Sequence, residues 1–90
     1  MIVRRFLLWA RDASARQRAD GARALANAYL AGQMGEEDRR EAETAFMMLT
    51  QDASPLVRLA LAETFAPASQ TPRQLVVALS SDGGEAAALM

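Results

Sequence analysis

The chain has 90 residues, 51% of them hydrophobic, a formal net charge of −1, and neither cysteine nor histidine. That is one domain at most, with a thin core, because a chain of this size buries only about 60% of its unfolded surface. Disulfides, thiolate nucleophiles and Cys-based zinc sites are excluded, as are the commonest general base and the commonest transition-metal ligand.

No stretch alternates with period two, and helical spacing runs throughout, so an all-α chain is expected. A first helix is predicted over Ile2–Asp12. Ile2, Val3, Phe6, Leu7, Trp9 and Ala10 share one face; Arg4, Arg5, Arg11 and Asp12 lie opposite, with Leu8 among them. A second covers Ala15–Ala31, with Ser14 and Gln17 at capping-box spacing and Gly32 as its stop. Ala15, Ala19, Ala22, Leu25, Ala26 and Tyr29 form its apolar face, and Arg16 and Asp20 can pair on the wet one. A third begins at Glu36, with three acids in the first turn, where the helix dipole favours them. Its inward residues are Ala42, Ala45, Phe46 and Leu49; Met47 and Met48 flank that stripe, so at least one should meet a neighbour.

A fourth helix runs from Pro55 to Ala66, capped by Ser54, with Val57, Ala60, Leu61, Thr64 and Phe65 on one face and Pro67 as its stop. In the fifth, "TPRQLVVALSS", Thr71 caps and Pro72 opens the helix. It is apolar nearly all round and calls for neighbours on several sides. A sixth starts at Asp82, with Glu85 at capping-box spacing, and has about two turns before Met90.

"LTQDASPLVRLA" (49–60) aligns with "LSSDGGEAAALM" (79–90) at an offset of 30 residues, although Val57 and Arg58 meet Ala87 and Ala88. Self-similarity of helix pairs marks an α-solenoid, whose pairs stack because one alone cannot bury its faces. Asp52, Ser54, Pro55, Val57 and Arg58 carry a pattern that resembles the HEAT-repeat signature, an Asp in the inter-helix turn followed by Val-Arg. That resemblance implies that Asp52 and Arg58 join a polar ladder between the turns of successive repeats. More of the chain, "RRFLLWARDA", "ARALANAYLAG", "EEDRREAETAFMMLTQDASPLVRLALAE" and "APASQTPRQLVVALSSD", resembles the N-terminal region of a bacterial family, a domain of unknown function built of HEAT-like helices. The resemblance implies a HEAT-like α-solenoid fragment of about five helices plus a truncated sixth, and no activity. Within one domain (1–90), residues 1–31 would be capping helices, 36–66 the best repeat and 71–90 an incomplete next one.

Chemistry finds little footing. The carboxylates of "EEDRREAE" lie on one charged helix start, and "DGG" at 82–84 lacks the lysine and preceding strand of a phosphate loop. No catalytic residue, cofactor or metal site is assigned. All ten basic residues are arginine; residues 1–35 carry a net of +4 and residues 36–90 a net of −5. Arg4, Arg5, Arg11, Arg16 and Arg23 form the candidate interaction surface, with nucleic-acid phosphates as one alternative partner. Against that partner stand a footprint without lysine and an acidic pI of about 5.3. Docking of the first helix on a membrane surface is a second alternative; packing of Phe6, Leu7 and Trp9 on the second helix competes with it. The function expected is a non-catalytic protein-interaction scaffold with a protein partner, and self-association through the fifth helix and the C-terminal end. No stretch is long and apolar enough for a membrane span, and the run Phe6–Ala10 is too short for a signal peptide's apolar core, so the cytoplasm is the expected compartment.

Overall fold

The computed structural model describes residues 2–81 and 84–90, with the side chains of Ile2 and Val3 outside that description. Six helices account for its regular structure: α1 (Ile2–Ala10), α2 (Ala15–Leu30), α3 (Glu36–Leu49), α4 (Pro55–Phe65), α5 (Arg73–Ser80) and α6 (Glu85–Leu89). No strand occurs among the described residues.

Local chemistry accounts for most boundaries. At the start of α2 the Ser14 Oγ accepts from the Gln17 amide at 3.1 Å, and the Ser14 amide donates back to Gln17 Oε1 at 2.8 Å, a complete capping box. At its end Gly32 adopts φ +75°, the left-handed region that a side chain disfavours, and donates to Tyr29 O. Two predicted limits move. The first helix stops at Ala10, where the Asp12 and Ala13 amides turn back to the Trp9 and Ala10 carbonyls. Thr71 does not cap α5: its hydroxyl donates to the Phe65 and Ala68 carbonyls and closes the end of α4 instead. Pro72 takes the N-cap place because its ψ of 135° is still extended. The capping box proposed for Asp82 lies outside the described residues, and Gly84 caps α6 without a side chain.

The helices pack in two rows. The most extensive contact in the molecule joins α2 to α4, and α6 continues that row; α1, α3 and α5 form the other, each touching the next. The thinnest dimension is 16 Å between Cα extremes, which fits two helix layers about 8–10 Å apart. Neighbours within the α2–α4 pair run parallel, since Arg18 near the start of α2 reaches the turn before α4 while Tyr29 and Phe65 meet near both ends.

The core follows the predicted stripes: Ala19, Ala22, Leu25, Ala26 and Tyr29 of α2, all four inward residues of α3, and Val57, Ala60, Leu61 and Phe65 of α4 are buried. Ala62 is buried as well, because α4 is covered on several sides. Tyr29, Phe46 and Phe65, one from each of three helices, form an edge-to-face triangle with centroids 5.1–6.1 Å apart. Met47 packs against the core and Met48 faces out. On α1, Phe6 packs on the core and the Trp9 ring lies over Gly21 of α2, although 46% of Trp9 stays exposed.

A Cβ at Gly21 would sit 2.6 Å from Trp9 Cζ3 and 2.9 Å from Phe6 Cε1. Gly21→Ala is therefore expected to displace α1 and lower stability by about 1 kcal/mol, the overpacking cost exceeding the gain in helix propensity. Thermal unfolding measures the loss, and emission from Trp9, the sole tryptophan, should shift to the red.

Tyr29 is buried and its hydroxyl donates to Glu43 Oε2 at 2.5 Å, with the Arg39 guanidinium 4.4 Å from the ring centroid. Burial, then the hydrogen bond and charge of Glu43, push its phenol from 10.0 up to about 12, with Arg39 opposing. This preference for the protonated form stabilises the fold fully below pH 10.0 and is lost as pH rises through about 12. Phenolate absorbance of the single tyrosine should therefore titrate well above its free value, and Tyr29→Phe should reduce the alkaline loss of helix.

Candidate functional site

The best-organised polar cluster lies where α2 meets the α3–α4 turn. Asp52 Oδ2 accepts from Arg18 Nε at 2.8 Å and Oδ1 from Arg18 Nη2 at 3.0 Å, a bidentate pair. The same guanidinium donates from Nη1 to Ala13 O at 2.8 Å, so it ties both inter-helix turns together. Asp52 Oδ1 also accepts the Ser54 amide at 2.9 Å, which shapes the turn that leads into α4. Ser54 Oγ caps α4 by accepting from the Leu56 amide, Pro55 occupies the first turn and Val57 is fully buried. Arg58 Nη1 donates to Asp52 O at 2.5 Å.

Arg58 thus holds the backbone of the turn, while Arg18 holds the Asp52 carboxylate. Arg18 is the residue that sequence reasoning passed over. Its signal was present at an offset other than 30: "FLLWARDASARQR" (6–18) aligns with "FMMLTQDASPLVR" (46–58), Phe on Phe, Asp-Ala-Ser on Asp-Ala-Ser and Arg18 on Arg58. The caps Ser14, Ser54 and Gly84 stand forty and then thirty positions apart, so helix pairs recur with unequal length. Arg18 and Arg58 share a local device, since each donates to a carbonyl of the turn before its own helix.

The five predicted surface arginines are all exposed. Arg23 pairs with Glu63 of α4 at 2.9 Å, and Arg4 lines the α1–α3 groove with Leu7, Glu41 and Thr44. The Arg16–Asp20 pair does not form; besides Arg18–Asp52 and Arg23–Glu63, the ion pair given by the described residues is Arg40–Glu36. No cluster of three or more carboxylates among the described residues could hold a metal ion. A cleft of about 160 Å³ between α4 and α6, lined by Leu56, Arg58, Leu59 and Glu85, is smaller than the ~300 Å³ at which ligand pockets begin.

Apolar exposure is more ordered. Leu8 of α1, Met48 of α3 and Val77 of α5 are each 57% exposed, one on every helix of that row. Leu8 and Met48 hold the same place in the forty-residue repeat. Between α3 and α5 runs an open groove of about 540 Å³ with Met47, Val77 and Ala78 along it and Arg73 and Gln74 beside them.

No protein family, curated protein or solved structure matches the chain. No helix among the described residues is long and apolar enough to cross a membrane.

The Arg18 hydrogen bonds, the Ser54 amide and the charges of Arg18 and Arg58 hold the Asp52 carboxyl below its ordinary value, against the opposing effect of burial. Its contribution is complete above the unfolded value of 3.8 and is lost as pH falls through the lower folded value. Asp52→Asn should cost about 2 kcal/mol at neutral pH, the range for charge-assisted hydrogen bonds. It should also flatten the acid limb of stability against pH, as measured by denaturant titration at several pH values; an unchanged limb would remove Asp52 from that role.

Proposed function

We propose that the chain is a non-catalytic protein-interaction scaffold of HEAT-like helix pairs, with a cytoplasmic setting as part of that proposal. Its support is the serial packing of α2, α4 and α6 beside α1, α3 and α5, with an arginine of one pair bonded to the turn of the next. Asp52 and Arg18 then belong to the joint between repeats, and a joint of this kind leaves each row with one free flank.

The binding surface in this reading is the outer flank of α1, α3 and α5. Three of the large exposed apolar side chains stand on these helices, one on each; Leu8 and Met48 hold the same place in the repeat, whereas Val77 falls on Met47 at the thirty-residue offset. Phosphate binding by the N-terminal arginines draws no comparable support, because Arg23 and Arg4 sit beside carboxylates. Docking of α1 on a membrane competes with the contacts that Phe6 and Trp9 make over Gly21.

A photo-crosslinking amino acid at position 48 or 77 should give covalent protein adducts in cells, and the same group at Asn27, exposed on α2, should give none. Silence at 48 and 77, or equal labelling at 27, would overturn the assignment of this flank.

A further inference from the structure

The open groove of about 540 Å³ between α3 and α5 has an apolar part and one charged group. Met47 of α3 and Val77 and Ala78 of α5 line the apolar part; Arg73 and Gln74, one turn earlier on α5, line the rest. Val77 is 57% exposed, on the side of α5 away from the buried Leu75 and Leu79. Arg73 is exposed and makes no ion pair among the described residues. No carboxylate stands among the described residues that line the groove. A cation without an anion beside it makes the groove complementary to an acidic occupant and opposed to a basic one.

The walls decide what form that occupant takes. Both are helices, whose backbone groups are paired internally away from their ends, so an extended strand would find no ladder to join. An α-helix satisfies its own backbone and offers a ridge of side chains that fits between two others. Arg73 and Val77 are four residues apart, about 6 Å along α5. A helix lying in the groove therefore meets them with an acidic and an aliphatic residue one turn apart. An open groove cannot surround a small ligand as a closed pocket does, whereas a protein helix brings its own cover. Met47, unbranched and only partly buried, adjusts to the aliphatic side chain that arrives.

Resting on the scaffold reading, we infer that the α3–α5 groove takes an acidic amphipathic helix of another protein. Its aliphatic ridge packs on Met47, Val77 and Ala78, and an aspartate or glutamate one turn away pairs with Arg73. The apolar contact supplies the attraction, and the ion pair selects the partner and its register.

Selection from a phage-displayed library of random peptides of about 20 residues, against the immobilised 90-residue chain, tests the proposal. Enriched peptides should carry Asp or Glu one helical turn from Leu, Ile or Met, and should gain helix in circular dichroism on binding. For one such peptide, made synthetically, Val77→Asn should weaken binding about tenfold, because it removes apolar contact without adding charge. Arg73→Glu should also weaken it about tenfold, and a lysine in place of the peptide's acidic residue should restore binding to that variant within about threefold. Leu89→Glu, on α6 and outside the groove, should leave binding unchanged. Circular dichroism of each variant alone checks that the exposed substitutions keep the helices.

Absence of enrichment, enrichment of basic or uncharged peptides, or binding indifferent to Val77→Asn overturns the proposal. Binding lost with Val77→Asn but kept with Arg73→Glu, or a charge swap without recovery, overturns the ion pair and with it the acidic partner. A dimer of the chain in sedimentation that Val77→Asn dissociates would put a second copy in the groove and equally overturn the proposal. Each of these results leaves the scaffold reading standing wherever positions 48 and 77 still crosslink to another protein in cells; loss of those crosslinks removes that reading itself.

Discussion

The parallel packing of α2 on α4 is the contact on which the rest of the structure depends. Both helices bury small residues beside their larger core side chains: Ala19, Ala22 and Ala26 on one, Ala60 and Ala62 on the other. Alanine lets backbones approach closely but contributes little burial per residue, so the ends of the pair need stronger ties. At one end Arg18 grips Asp52; at the other, Tyr29 meets Phe65 and both meet Phe46 of α3. With register set at both ends, α3 has one place to run back between them, and α6 meets an α4 whose orientation is already decided.

That division of labour bears on function. The polar groups with the best geometry, Asp52, Arg18, Ser54 and Arg58, are spent on turns and caps. Glu43 is spent on a buried phenol. What remains at the surface is a mixture of exposed charges and exposed apolar side chains, among them Leu8, Met48 and Val77 of α1, α3 and α5, and the proposed interaction role rests on these. Alternating burial along α5 makes the point for one helix: Leu75 and Leu79 feed the core, while Val77 between them stays 57% exposed.

Periodicity made the core legible. Each inward residue expected for α3 is buried, and on α2 only Ala15 falls short of full burial. Ser14, Gly32 and Ser54 announced their caps because those interactions are local. Thr71 misled because a threonine before a proline has a cap's composition, yet its hydroxyl found two carbonyls at the end of α4, a choice made by the path of the loop. Arg18 was unreadable at the 30-residue offset and readable at forty; unequal helix lengths hid the stronger alignment, which spans Phe6–Arg18 and Phe46–Arg58. Gly21 carried no signal at all, since a glycine within a helix says nothing about the aromatic ring that will lie over it.

By itself the amino-acid order determined helices, stripes and the caps at Ser14 and Ser54, which follow from interactions within a few positions along the chain, and the absence of thiol and imidazole chemistry, which follows from composition. Tertiary structure alone decided which arginine holds the Asp52 carboxylate, which methionine of the adjacent pair is covered, and that Val77, Met48 and Leu8 stand on neighbouring helices of one row. Those outcomes depend on which helix comes to lie beside which, and a hydrophobic stripe specifies that a face be covered without naming the neighbour that covers it.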